Sequence, residues 1–206
     1  MFAIRPETTA DAVAIEALLD LGFGPDRRQK VSYRYREGVP PLAELCFVAE
    51  DETGGLVGAI RYWPIRLDHR PALLLGPLAI DPARQGRGVG RALVFHSLET
   101  AAAAGHRLVF LVGDPAYYQR FGFAVAPPGI VMPGEQPTRL NYRVLAPGRG
   151  LPRSGTLRPL PPAAPPSATP AAAGPPSAGM AGRARQRQGG VATPRVKAIA
   201  TATGIP

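Results

Sequence analysis

The chain has one cysteine, no acidic residue after Glu135, and no apolar run near the roughly 20 residues needed to span a bilayer. The single cysteine excludes an internal disulfide, and Cys46, inside the apolar run LCFVAE, reads as a buried strand residue rather than a nucleophile. The missing apolar run excludes a transmembrane helix of the usual kind, so no membrane partner is expected. The N-terminus MFAIRPETTADA has no basic start followed by an apolar stretch, so no secretory signal is expected and a cytoplasmic location follows. The lack of late acids explains the net charge of +9. Sixteen Lys/Arg up to Arg143 face all fifteen acids, while eight basic residues from Arg149 to Lys197 face none. The basic balance therefore belongs to the tail and not to the body. Residues 147–206 also lack Phe, Tyr and Trp, and twelve prolines and nine glycines make up over a third of them. Such a composition cannot bury a core and predicts a disordered, basic Pro/Ala/Gly-rich tail over 161–206. SGTLRPL (154–160) is the one stretch there that suits a last edge strand.

What remains, about residues 1–160, has the length of one domain. FAIR (2–5) predicts a first strand, and TADAVAIEALLDL (9–21) an amphipathic helix with Gly22 as its stop. A weaker helix is expected over 26–37, before GVPP breaks it. ELCFVAE and LVGAIRYWPIRL read as strands joined at the hairpin signal DETGG. HRPA then turns the chain into LLLGPLAI (73–80), apolar on both faces as a doubly covered central strand would be. VGRALVFHSLETAAAAG reads as a helix and RLVFLVG (107–113) as another buried strand. Strand, helix and strand over 73–113 form a βαβ unit, which requires parallel strands, whereas the hairpin before it requires antiparallel ones. An α/β (α+β) fold with one mixed sheet is expected.

The most informative stretch is ARQGRGVGRAL (83–93), which follows the buried strand and opens a helix. A first helical turn exposes unpaired N–H groups and the positive end of the dipole, and glycines let an anion approach the backbone closely. Arg84, Arg87 and Arg91 add charge. A P-loop would need Lys and Ser/Thr that are absent. A Rossmann fingerprint fails because the sixth position from Gly86 is Arg91 and no acid follows at the required distance. The pattern present is Gln85-x-x-Gly88-x-Gly90. In the strand before it, Gly76-Pro77 implies a bulge or a lost pairing, because proline cannot donate to a ladder. After it, GDPAYYQRFGF (113–123) places Tyr118 four and five residues before Gly122-Phe123.

This set resembles the GNAT superfamily of N-acetyltransferases, and within it the YhbS-like bacterial branch, over roughly residues 2–160. The resemblance implies a mixed central sheet whose parallel central strands splay apart, flanked by helices. It implies acetyl-CoA as co-substrate, with its pyrophosphate on the backbone of Gln85, Gly86, Arg87, Gly88, Val89, Gly90 and Arg91. The pantetheine arm would pair with Leu78, Ala79 and Ile80. Tyr118 would be the general acid that protonates the departing thiolate, a role suited to a phenol with an ordinary pKa of about 10. The Leu78 amide would polarise the thioester carbonyl. No metal is implied. Tyr118 as a core tyrosine and Tyr117 as the acid are the competing readings.

The general base is not readable. Asp114 before Pro115 suits an N-cap, and His69 and His96 suit solvated or packed positions. The acceptor amine, on a small molecule or a protein, is also hidden. The segment 22–40, basic and aromatic in GPDRRQKVSYRYREG, suits an amine that carries a carboxylate or phosphate better than a polycation. Two other functions stay open: a non-catalytic acyl-CoA-binding module, and polyanion binding through the tail. For the latter, GRARQRQGG has charge without aromatics and so no specific nucleic-acid readout. A homodimer is left open.

Overall fold

The apolar runs form a mixed nine-stranded sheet in a computed structural model that describes residues 1–146 and 150–160. The predicted tail, 161–206, lies outside the described residues. The strands are β1 (Phe2–Pro6), β2 (Phe47–Asp51), β3 (Leu56–Leu67), β4 (Arg70–Ile80), β5 (Leu108–Val112), β6 (Ala124–Val125), β7 (Gly129–Val131), β8 (Leu140–Val144) and β9 (Ser154–Pro159). Their main path runs β1-β2-β3-β4-β5-β8-β6, and β9 pairs with both β3 and β7. β4 and β5 are parallel, and the remaining pairs along the path are antiparallel.

The helices are α1 (Ala12–Phe23), the single turn α2 (Val31–Arg34), α3 (Val89–Ala103) and the short α4 (Pro115–Tyr118). α1 runs through Gly22 and ends at Gly24, whose φ of 79° supplies the left-handed stop. The helix expected over 26–37 is instead a 3-10 turn (Pro25–Gln29) followed by α2, interrupted by Lys30 in an extended conformation. Inward capture of the Arg27 guanidinium, 3% exposed, by Glu16 and Asp20 accompanies that break.

Each face of the sheet has its own cover. On one, Ile15, Leu18 and Leu19 of α1 pack on Val48, Ala59 and Ala79. On the other, Val89, Leu93, Val94 and Leu98 of α3 pack on Phe47, Ile60, Tyr62 and Val109. Gly58 of β3 is the point of closest approach, since a Cβ there would lie 2.9 Å from both Leu93 and Val89. The two-residue turn between β3 and β4 carries Asp68 at φ 52° and is tied to β9: the Asp68 amide donates to Thr156, and the Thr156 amide to the Asp68 carboxylate.

At the start of the chain, Arg5 of β1 donates to both carboxylate oxygens of Asp11 at 2.8 Å and to Glu50 at 2.6 Å. These bonds, with those from Thr8, hold the Asp11 carboxyl well below the usual carboxylate range. The lowered value means that this contribution is full above the unfolded pKa of about 4 and is lost as pH falls below it. Asp11→Asn is expected to cost about 1–2 kcal/mol at neutral pH, at the lower end for charged hydrogen bonds because Arg5 is 38% exposed. Urea melts at pH 7 and pH 3 check this: the gap between variant and wild type should narrow in acid.

Candidate active site

The parallel pairing of β4 with β5 covers only Leu73–Val109 and Leu74–Phe110. Beyond it β4 bulges. Tyr62 opposes Leu75 and Ile60 opposes Leu78, so Gly76 and Pro77 together face Arg61 alone. Gly76 sits at φ 117°, a conformation open to glycine and strained for other residues. The strands part here, as the Gly76-Pro77 dipeptide predicted. A cavity of about 500 Å³ opens between them, with Gly76, Pro77 and Leu78 on one wall and Val112, Gly113 and Tyr118 on the other.

The register decides which backbone groups face the gap. The Asp81 amide donates to the Val57 carbonyl at 3.0 Å, which makes Asp81–Val57 a hydrogen-bonded antiparallel pair. Such pairs alternate, so Ala79 also bonds toward β3, opposite Ala59, while Leu78 and Ile80 turn their N–H and C=O groups to the gap. Of the three residues expected to offer backbone contacts there, the register favours Leu78 and Ile80. Ala79 is directed to the sheet.

The glycine loop leaves β4 through a 3-10 turn (Pro82–Arg84) and enters α3 at Gly88. Gly86 and Gly88 have φ of 75° and 84°, with open space where a Cβ would stand. Gln85, Gly86, Arg87 and Gly88 are all exposed. The first backbone bond into the helix is from Ala92 to Gly88, so the amides of Val89, Gly90 and Arg91 carry no intrahelical partner. The Arg87 amide already donates to Arg84, at 3.4 Å. Among the arginines, Arg84 is held by Asp51 at 2.6 Å, Arg91 lies over the Phe95 ring, and Arg87 is exposed.

α4 carries both tyrosines. Asp114 caps it by accepting from the Ala116 amide at 2.9 Å, the structural role its position before Pro115 suggested. The Tyr118 ring lies against Gly113, where a Cβ would overlap ring atom Cε2 and stand 2.9 Å from Cδ2. Packing against Tyr117, Phe121 and Phe123 completes its surroundings. Burial pushes the Tyr118 phenol well above its ordinary value, so it stays protonated across the neutral range. Tyr117 points elsewhere: its hydroxyl is 3.0 Å from where a Cβ on Gly90 would sit, on the first turn of α3. The two adjacent tyrosines thus bridge the gap and the loop.

The other candidates are structural. Cys46 is buried, donates to the Leu42 carbonyl at 3.1 Å, and has its thiol pushed up to about 11 by burial. His96 meets the Phe47 ring edge to face at 4.5 Å. On the side away from the loop, a second cavity of about 330 Å³ adjoins the gap and is lined by residues of the 22–40 segment with Arg61 and Trp63. Most of its cations are compensated there: Arg27 by Glu16 and Asp20, Arg28 by Glu16, and Arg61 by Glu7. Arg36, at the junction of the two cavities, is the functional candidate that reading residue by residue does not reveal. Among the described residues no helix is long and apolar enough to cross a membrane.

Comparison with known proteins gives this architecture a family. Residues 43–125 match the family model described as an acetyltransferase (GNAT) domain. The uncharacterized N-acetyltransferase YhbS of Escherichia coli K12 is 35% identical over 125 residues, covering 60% of this chain and 74% of YhbS. The crystal structure of Escherichia coli YhbS in complex with CoA superposes with a TM-score of 0.64 at 30% identity, over 76% of this chain and 88% of that one. A GNAT family acetyltransferase from Brucella melitensis in complex with acetyl-CoA gives 0.59 at 26% identity, over 77% and 95%. The splayed β4/β5 pair, the glycine loop capping α3 and these relatives agree: the chain belongs to the GNAT superfamily of N-acetyltransferases.

Proposed function

We propose that the chain transfers the acetyl group of acetyl-CoA to an amine in the gap between β4 and β5. One observation carries this reading. The sheet opens where Leu78 presents its backbone to a cavity with Tyr118 on the facing wall, beyond a loop of unpaired helix-start amides. The pyrophosphate would rest on the amides of Gly88 to Arg91, and the pantetheine arm would extend along the free edge of β4 at Leu78 and Ile80. CoA in one superposable relative and acetyl-CoA in another support that placement by analogy.

The amine nitrogen attacks the thioester carbon while the Leu78 N–H donates to the carbonyl oxygen, where negative charge develops. The N–C bond forms, the C–S bond breaks, and Tyr118 gives its proton to the departing thiolate. The attacking amine must lose a proton. Asp114 and Glu135, the carboxylates that line the gap, both accept backbone amides, at 2.9 and 3.0 Å. Solvent reaching the gap would take the proton, and the amine must arrive neutral.

Calorimetric titration of the full chain with acetyl-CoA, beside ATP, tests the cofactor half: selective micromolar binding is expected, and its absence would overturn the reading. The pH dependence tests the chemistry. With a given amine, kcat/KM should rise about tenfold per pH unit up to the pKa of that amine. No falling limb should appear below pH 10, because the raised Tyr118 pKa keeps the acid protonated. A bell centred near neutrality would contradict it.

A further inference from the structure

We infer that Arg36 is the anion receptor of the acceptor site, and that the acceptor is a compact amino acid whose carboxylate binds there. The inference rests on the acetyl-transfer reading and names its substrate class. Tyr33, Arg36 and Pro77 line both the 500 Å³ gap and the 330 Å³ cavity beside it, so Arg36 stands where the two meet.

Its guanidinium is held between two rings, 4.5 Å from the Tyr33 centroid and 5.1 Å from that of Trp63. Both rings are anchored in turn. The Tyr33 hydroxyl accepts from Arg27 at 3.1 Å, and the Trp63 indole donates to the Val39 carbonyl at 3.0 Å. Arg36 is thereby preorganised, yet it has no carboxylate: among the described residues its Nε and Nη1 atoms are inaccessible and without a hydrogen-bond partner. Every other arginine lining the smaller cavity has its acid. A half-buried cation whose inner nitrogens are shielded from water and lack a counter-charge is costly unless a ligand supplies one. Burial lowers the Arg36 pKa to about 10, which leaves it charged at neutral pH.

The remaining nitrogen, Nη2, points to the reaction centre. It lies 3.4 Å from the place a Cβ on Gly76 would occupy, and the Leu78 nitrogen lies 3.9 Å from the same place. The two nitrogens are thus no more than about 7.3 Å apart. A carboxylate on Nη2 and an amine at the carbonyl polarised by Leu78 fit a molecule with about one or two carbons between them. Among the described residues Arg36 is the single uncompensated cation of this lining, so a monoanionic carboxylate matches it better than a phosphate dianion.

Trp63, the only tryptophan, reports on this site without any catalysis. The test titrates the acetyl-CoA-loaded full chain with glycine, β-alanine, glycinamide, 6-aminohexanoate and O-phosphoethanolamine. Trp63 emission is followed, and CoA thiol release is measured in parallel. Glycine or β-alanine should change the emission saturably and be acetylated with a lower KM than glycinamide. Arg36→Met should raise that KM on the order of 10- to 100-fold with a smaller change in kcat, and should erase the preference over the amide. Arg36→Lys should recover part of it. Circular dichroism melts confirm that both variants fold. Equal use of glycine and glycinamide, preference for 6-aminohexanoate or phosphoethanolamine, or an unchanged preference in Arg36→Met would each overturn the inference. A carboxylate-dependent Trp63 response without thiol release would instead overturn the acetyl-transfer reading and leave Arg36 as an anion site.

Discussion

Tyr118→Phe is expected to lower kcat for acetyl transfer by about two to four orders of magnitude, the usual weight of a general acid. Acetyl-CoA affinity should change by no more than about threefold, because the hydroxyl acts on charge that develops only as the thiolate leaves. The ring is already fixed by Gly113 beneath it and by Tyr117, Phe121 and Phe123 around it, so losing one oxygen leaves the packing intact. Tyr117→Phe is the matched control. Its hydroxyl lies over Gly90 at the start of α3, so its loss should affect cofactor binding more than kcat. Gly113→Ala approaches the same acid from the other side: its methyl group overlaps the Tyr118 ring, displaces it, and should depress kcat with the phenol still present. Steady-state thiol release, with calorimetry for affinity, separates these outcomes. A Tyr118→Phe enzyme with undiminished kcat would remove Tyr118 from the mechanism. Tight acetyl-CoA binding without turnover of any amine would favour a binding module.

Gly88→Glu should weaken acetyl-CoA binding by at least about 100-fold, the equivalent of losing roughly 3 kcal/mol of charged contacts. Two effects act together. Gly88 has a φ of 84°, where any side chain is strained, and its exposed position puts a carboxylate beside the helix-start amides proposed to hold the pyrophosphate. Gly88→Ala brings the strain without the charge and should fall between wild type and Gly88→Glu. Unchanged affinity in Gly88→Glu would place the pyrophosphate elsewhere.

Much of this fold follows from local pattern, because strands buried on both faces and a glycine-stopped helix leave plain marks. β3 has the predicted bounds, 56–67, and SGTLRPL contributes β9. β4 begins at Arg70 rather than Leu73 because the hairpin turns in only two residues, with Asp68 in the left-handed region, and Arg70, Pro71 and Ala72 pair instead of looping. The strands β6, β7 and β8 leave no such mark. They are short, Pro127, Pro128, Pro133 and Pro137 interrupt their stretch, and β8 takes its place from pairing with β5 rather than from its own propensity.

The site divides the same way. The glycine loop and the spacing of Tyr118 to Gly122-Phe123 are sequence-local, so both were legible. The direction of the Ala79 backbone depends on the register with β3, and the isolation of Arg36 depends on every neighbouring arginine finding an acid. Neither is written in a short window.

The bond from the Tyr35 hydroxyl to the Leu157 carbonyl, at 3.1 Å, joins positions 122 residues apart, one of them beside Arg36. The elements proposed to hold the cofactor, by contrast, span a continuous stretch from β4 through α3 and β5 to α4. Short-separation contacts form early, and long loop closure is slow. On a ribosome, residues 70–118 therefore emerge before Leu157, and the Tyr35 anchor beside Arg36 closes only when β9 docks. The last tie of the proposed acceptor wall is thus made late, from the far end of the domain.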